Sequence, residues 1–408
     1  VRGPGTIWGS ASTVSYPLAA DLPVETRTVT TAGAAGFAVG DWIVVRNDTT
    51  DGFRADHRMD AATSGLLDLW PSSGIRGLTY LRRVESIAGL TLTLDAPIRY
   101  PLRTRDAARI YAAPALLFEV GLESFSIGMT ESRTTTPDGM DALHDNDFTV
   151  TGTTGYEVHA SRAIDLERVR DAWIADVDSY APPGNPTGFH ILSNGIALQP
   201  GAVRVTVLDC DWARPQYRGG GGNGYTFAIY GNEILVRGGS ATEARHGITL
   251  NYAASGTVIR DLHLVRSRFS DDSHRFLAHA NLYDRVVLES AWLQAVNRGT
   301  TSTGAGFTAT QHVFWGTHVA LGHPTADGCA IESAQWAWGY LIGSSADPGE
   351  TALLCPTSFT NSGWAALDQG APSDWVEGDG LGAALFPRSL HQAMLDLRCA
   401  RDGVTCTW

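Results

Sequence analysis

Through the middle of the chain, from about residue 115 to 345, apolar and polar positions alternate in short runs, and Gly, Asp, Asn or Ser breaks each run. Period-two alternation buries one side of a strand and leaves the other free, so these runs predict short β-strands. A unit recurs: apolar, any residue, turn residue, apolar or small, polar, apolar. Its copies are LESFSI from Leu122, VRDAWI from Val169, VLDCDW from Val207, VRGGSA from Val236, IRDLHL from Ile259, LESAWL from Leu288 (slipped by one) and VFWGTH from Val313. Taking Ser124, Asp171, Asp209, Gly238, Asp261, Glu289 and Trp315 as equivalent gives steps of 47, 38, 29, 23, 28 and 26 residues. The first step reads as two turns with one poorly matched rung. Several short strands per repeat with almost no helical periodicity predict a β-solenoid, with a β-sandwich as the rival. Unequal steps imply loops inserted on one side of the coils, as a binding groove requires.

The ends differ from the middle. Residues 1–114 hold GFAVGDWIVVR (36–46) and SIAGLTLTLDAPI (86–98), which predict strands leading into the first coils, with a polar insert around 47–80 between them. The segment 346–408 is rich in Gly, Pro and Ser through Asp379. It closes on a predicted helix over 388–400, with Ser389 near its start and Gly403 beyond its end. A solenoid exposes apolar side chains and unpaired strand edges at its open ends, so both segments are expected to cap the 115–345 coils, all within one structural domain.

Composition narrows the partners. The 408 residues include 45 Gly and only 18% charged residues, which suits an extended β architecture with many turns. No apolar run approaches the ~20 residues of a membrane helix, so no membrane partner is expected. The net charge is −13 and all 30 basic residues are Arg, which argues against a nucleic-acid partner. An acidic polysaccharide is also repelled at long range, unless a local Arg cluster or a bound cation reverses the field. Among Cys210, Cys329, Cys355, Cys399 and Cys406, the pairs Cys329–Cys355 and Cys399–Cys406 are expected, leaving Cys210 alone. A chain opening at Val1 reads as a mature or trimmed product, and two disulfides fit a secreted, extracellular protein.

VGDWIVVR followed by LTLDAPI, the coil repeats, HGITL, and DSHRFLAHANLYD followed by VFWGTHV resemble the right-handed parallel β-helix proteins of the pectate-lyase-like superfamily. The closing VEGDGLGAALFPRSLHQAML resembles the tail of its bacterial members. The resemblance implies an all-β, right-handed parallel β-helix. It leaves activity open, because that superfamily holds lyases, glycoside hydrolases, glycan epimerases and phage tailspikes.

The repeat register proposes a site. Stepping back 28 residues, the offset from Asp261 to Glu289, takes His274 to His246 and His279 to Asn251. His246 and His274 are therefore expected to stack on neighbouring coils ~4.8 Å apart, beside Arg245, Arg275, Asp271 and Asp272. In the bacterial group that the chain resembles, an Asp-x-His-Arg run precedes A-x-x-N-L-[FY]. Here Asp272, Ser273, His274 and Arg275 precede Ala278, Asn281, Leu282 and Tyr283, and His246 matches a His-Gly turn one coil earlier. Asp211, two residues past the turn position of Asp209, falls in an outward column with Ser240 and His263.

Three readings follow. A glycoside hydrolase or related transglycosylase would draw two carboxylates from Asp211, Asp271 and Asp272, oriented by His246, His274 and Arg275. A polysaccharide lyase would use His or Arg as base for β-elimination at a uronate, with Ca²⁺ as a possible cofactor. A non-catalytic glycan-binding solenoid would carry the same polar residues as a ladder between coils. The polygalacturonase pattern is incomplete: ArgHisGly at 245–247 stands without N-T-D or R-I-K. Arg245, His263, His279, Trp292, Trp315, Glu332, Gln335 and Trp336 are the expected sugar contacts, since indole rings stack on sugar C–H faces. Gly219 to Gly222 lack the Lys and helix of a phosphate loop and predict a flexible loop at the groove edge. No zinc, serine-hydrolase or dinucleotide motif is present, and no dedicated metal ligands are expected.

Overall fold

The computed structural model describes residues 1–10, 12–64, 69–70, 76–132, 146–356 and 374–404. It is a right-handed parallel β-helix. Among the described residues, one face of the coil is an eight-stranded parallel sheet. In spatial order its strands are Arg162–Leu166, Asn194–Leu198, Tyr225–Ile229, His246–Asn251, Asp271–Arg275, Leu293–Ala295, Cys329–Ser333 and Leu353–Cys355. A 14-stranded sheet curls over the remaining faces, because long strands such as Val169–Ser179 and Val313–Leu321 run through a corner.

Side chains of like character stack from coil to coil. Ile174, Val207, Val236, Ile259, Tyr283, Phe314 and Leu341 are register partners in succession, and all are buried in the central core. Tyr283 and Phe314 stack with centroids 4.7 Å apart. Every coil buries its inward residues between two neighbours, so burial of apolar area drives the stacking.

The corners explain the repeat. Ser124, Asp176, Asp209, Gly238, Asp261, Arg285 and Gly316 succeed one another in register, each with φ between 48° and 68°. A left-handed residue there lets the strand turn sharply without losing its ladder. At Gly238 a Cβ would lie 1.9 Å from Asp209 Oδ1, so any larger residue there would have to push that carboxylate aside. The turn column expected from sequence is therefore right at Ser124, Asp209, Gly238 and Asp261. It is displaced at Asp171, Glu289 and Trp315, where Asp176, Arg285 and Gly316 hold the corner. Asp171 sits at a different left-handed corner, φ 50°.

The N-terminal segment forms a six-stranded antiparallel sheet that includes Trp42–Arg46, Thr79–Ala88 and Thr91–Ile98. It does more than close an end. Its core merges with Ala253, Phe276, Leu277 and Phe307, well along the coils. Tyr80 meets His279 Nε2 at 2.7 Å, and Arg82 and Arg99 both clamp Glu233. The C-terminal helix, Leu390–Asp402, is capped by Ser389 and ended by left-handed Gly403. It is pinned to the flank, because Asp284 accepts from Ser389 Oγ at 2.5 Å and from His391 N at 2.9 Å. Cys329 and Cys355 form a disulfide and Cys210 is a buried free thiol. The expected Cys399–Cys406 pair involves Cys406, which lies outside the described residues.

Buried histidines tie stability to pH. Burial holds His57 and His279 down at about 4 and His246 and His312 at about 3, so all four fold neutral. The unfolded chain regains those protons below about pH 6.5, so this stabilisation is lost as pH falls from there. Burial raises Asp271 to about 7 and Asp374 to about 6, which acts in the opposite sense: the folded state holds those two protons as pH falls. Four protons against two leave a net loss, about 1.4 kcal/mol per pH unit for each net proton. The melting temperature is therefore expected to drop between about pH 7 and about pH 5. Thermal unfolding followed by circular dichroism checks this, and a flat or rising trend would contradict it.

Candidate active site

The strand Asp271–Arg275 carries the densest polar cluster, and its register decides which side chains meet. Thr249 pairs with Asp272 and Leu250 with Ser273, but Asn251 pairs with Arg275. The offset is thus 23 and then 24, not 28, and His274 is the extra residue of a bulge. The bulge re-aims its ring. His246 and His274 do meet, edge to face at 5.2 Å, but through the bulge and not as register partners. His246 pairs along the ladder with Tyr225. The expected Asn251–His279 pairing does not occur.

The two adjacent aspartates face different surroundings. Asp271 is the register partner of the core residue Leu293 and points inward. It accepts from Ser267 Oγ at 2.8 Å, from Ile248 N at 3.1 Å and from Gly247 N. Burial nonetheless pushes it up to about 7. Its role is to hold the turn beneath His246. Asp272 falls in a column with Thr249, Gln294 and Glu332. Burial alone would raise its pKa, but His274, His246 and Arg298 together hold it well below the carboxylate range.

Asp272 therefore stays ionised and only accepts. It takes Nη1 of Arg298 at 2.7 Å and stands 3.0 Å from His274 Nδ1; the same Nη1 lies 2.7 Å from that Nδ1, so Asp272 calls for a proton on this nitrogen and Arg298 for its lone pair. His274 Nε2 faces the Tyr225 hydroxyl, 3.0 Å away. Burial depresses the His274 pKa despite Asp272, so the ring is neutral. Burial also raises the Tyr225 phenol, against the opposing charge of Arg245, so the phenol is protonated. Asp272, His274 and Tyr225 form a chain of polar contacts, 3.0 Å at each step.

That chain ends in a cleft of about 460 Å³, lined by Tyr225, Tyr230, Tyr252, His274, Arg162, Arg245 and Arg275 among others, with no carboxylate among its described lining residues. Tyr230 and Tyr252 stack at 5.7 Å along one wall. Arg275 donates to Tyr252 Oη at 2.5 Å, and Arg245 lies over the Phe269 ring. Gly221 and Gly222 form part of the rim, at φ 76° and 82°.

The remaining expected residues lie elsewhere. Asp211 does share its column with Ser240 and His263, but on the 14-stranded sheet, where Ser240 donates to it at 2.6 Å and His263 faces Glu289. His279 joins the N-terminal sheet. Trp292 packs on the disulfide, and Glu332 accepts from it at 3.3 Å and from Gln294 at 2.7 Å. Gln335 accepts from His312 N at 2.7 Å. Trp315 donates to Pro387 O at 2.9 Å, and Trp336 packs between Phe307 and His57. Tyr225, Tyr230, Tyr252, Arg162 and Arg298 went unnoticed in the sequence. Tyr225 had one signal: it opens YTFAIY one coil before His246 opens HGITLN.

His246, Asp272 and His274 bring ligand-type atoms within 4.8 Å of one another. The donor set does not fit a metal. The Arg298 guanidinium already stands at the Asp272 carboxylate and His274 Nδ1, where a metal cation would be repelled. Ca²⁺ in addition takes six to eight oxygen ligands, and the cleft lining offers Arg, His and Tyr instead.

No family model matches the chain, the pectate-lyase-like superfamily included, and no curated protein matches it. Among solved structures it is similar to the Gp54 tailspike of Acinetobacter baumannii bacteriophage AP22, solved in complex with A. baumannii capsular saccharide. That likeness has 12% identity and a TM-score of 0.47, and covers 91% of this chain and 57% of that one. The tailspike gp49 of Pseudomonas phage LKA1 follows at 10% identity and TM-score 0.37, covering 82% of this chain and 58% of that one. The Pseudomonas phage phi297 tailspike gp61 stands at 14% and 0.34, covering 85% of this chain and 65% of that one. The chain thus spans less than two thirds of the length of each.

Proposed function

We propose that this β-helix is a secreted carbohydrate-active enzyme that cleaves an acidic, uronate-containing polysaccharide by β-elimination. The observation that carries this reading is the meeting of the Asp272–His274–Tyr225 chain with an arginine-lined cleft that has no carboxylate in its described lining. The cleft reverses, locally, the repulsion that a net charge of −13 exerts on an anionic polymer. Hydrolysis needs two carboxyl groups flanking the scissile bond, ~5 to 9.5 Å apart. Asp271 is turned into the core, Asp272 is enclosed by His274 and Arg298, and Asp211 stands on another sheet, so the hydrolase reading lacks its pair.

Arg245 and Arg275 would bind the uronate carboxylate and spread the negative charge that develops beside it. With the His274 Nδ1 proton directed at Asp272, the α-proton passes to the Tyr225 oxygen as the phenolic proton shifts to His274 Nε2, and Asp272 stabilises the imidazolium. The glycosidic oxygen leaves with the proton now on Tyr225, and His274 returns its own proton to the phenolate. One proton thus moves from carbon to the leaving oxygen, and an unsaturated uronate remains. No metal enters any step. The Cys329–Cys355 disulfide is in keeping with an oxidising, extracellular location.

The test is a panel of polygalacturonate, alginate and neutral glucans, with reducing ends and unsaturated-uronate absorbance followed together, with and without EDTA. Both signals should rise on a uronate polymer and ignore EDTA. Reducing ends without absorbance would overturn elimination in favour of hydrolysis. Binding without either signal would leave a glycan-binding solenoid.

A further inference from the structure

We propose that a second groove, on the flank beside the C-terminal helix, is an auxiliary binding site for carboxylates of an acidic saccharide. Its floor is the 14-stranded sheet, where Arg237 and Arg260 are register partners on adjacent coils. Both flank core residues, Val236 and Ile259, so both point outward. One wall is a stripe of the helix, His391, Leu395 and Arg398, which the 3.6-residue period places on one face.

The balance of charge in this groove is uneven. Arg204 is matched by Asp95 and Asp171, at 3.0 Å and 2.7 Å. Arg260 meets Asp261 at 3.1 Å and Gln392 at 2.9 Å, and Arg398 stands 3.9 Å from Asp402. Glu233, the one carboxylate of the lining, is consumed by Arg82 and Arg99. Arg237 alone has no ion pair or hydrogen bond to its guanidinium among the described residues. Like charges on directly facing positions of neighbouring strands repel; Arg260 has Asp261 and its register partner Asp284 beside it, whereas Arg237 has no ion pair among the described residues, so an anion at Arg237 offsets the remaining repulsion. A second orphan sits nearby: His391 Nδ1 is buried and has no hydrogen-bond partner among the described residues. Burial first, then the charge of Arg260, lower the His391 pKa against the opposing charge of Asp284, and Arg237 adds to the lowering. The backbones of these two register partners are ~4.8 Å apart, a spacing from which two arginine side chains can reach one two-oxygen anion.

The groove and the cleft stand on different sheets, so one long polymer could be held at one while it is cut at the other, which raises its effective concentration. That the anion is a saccharide rests on the reading of the cleft given above; that the groove takes an oxyanion does not.

Isothermal titration of the whole chain with inorganic phosphate and with trigalacturonate tests this, in the unaltered protein and in Arg237→Gln and Arg275→Gln variants. Trigalacturonate is expected to fill two sites. Arg237→Gln should weaken one of them by at least about tenfold, should abolish phosphate binding there, and should leave turnover of short oligosaccharides unchanged. Arg275→Gln should spare that site. Equal site number and affinity in Arg237→Gln would overturn the proposal. Phosphate binding lost in Arg237→Gln but never displaced by trigalacturonate would overturn the saccharide assignment. If trigalacturonate binding is insensitive to Arg275→Gln and no elimination occurs, the cleft reading fails, while a loss in Arg237→Gln still upholds the groove.

Discussion

Tyr225→Phe is expected to lower kcat by about 10²–10⁴-fold with little change in KM, the range that loss of a proton-transferring group produces. The ring stays, so its edge contacts with His246 and His274, at 5.1 and 5.4 Å, survive and only the hydroxyl is removed. His274→Gln should produce a loss of similar size, and the two together little more than either alone, because both act in one proton path. Additive losses would mean that the phenol and the imidazole serve separate steps. The pH profile adds a second check. The depressed His274 pKa keeps the ring neutral below the usual imidazole range, so the acid limb of kcat should lie below about pH 6.5. An acid limb at or above that value would remove His274 from the proton path. Initial rates of absorbance growth on polygalacturonate, with melting curves of each variant alongside, separate a chemical loss from a folding loss.

Arg298→Met should destabilise the fold by about 3–5 kcal/mol, the cost of stranding a buried charge. Arg298 Nη1 lies 2.7 Å from Asp272 Oδ2, and both residues are buried, so removing the guanidinium takes a permanent cation away from a buried carboxylate. The double variant Asp272→Asn with Arg298→Met should recover much of the loss, because the amide carries no charge to strand. Urea midpoints at constant m-value measure both. A shift below about 1 kcal/mol in the single variant would mean that solvent reaches Asp272, and the assignment of a dry, preorganised chain behind Tyr225 would fall with it.

Which parts of this were legible beforehand follows from the range of the interactions involved. The coil repeat could be read because stacking imposes a local rule: an apolar residue inward, a turn-tolerant residue at the corner. Ser124, Asp209, Gly238 and Asp261 obey that rule visibly. Arg285 does not, since an arginine at φ 60° gives no turn signal, and the pattern therefore sets the rung after Asp261 four residues late. That slip produced the 28-residue offset, under which His246 and His274 would be register partners. Their contact is real but arises from a bulge, which alternation cannot announce.

By itself the sequence determined the winding, the interior ladder, the Cys329–Cys355 bridge and the closing helix with its Ser389 and Gly403 caps. Each depends on neighbours in the chain or on a repeated pattern. Only the tertiary structure decided the polar chemistry. It turned Asp271 inward and Asp272 toward Arg298, set Asp211 on another sheet, buried Trp292, and gathered Tyr225, Arg245 and Arg275 around one cleft. Charge and burial at those positions depend on which loops and coils cover them, and a one-residue bulge changes the answer. Pattern is local and was readable; the electrostatic surroundings of a side chain are set by distant parts of the chain and were not.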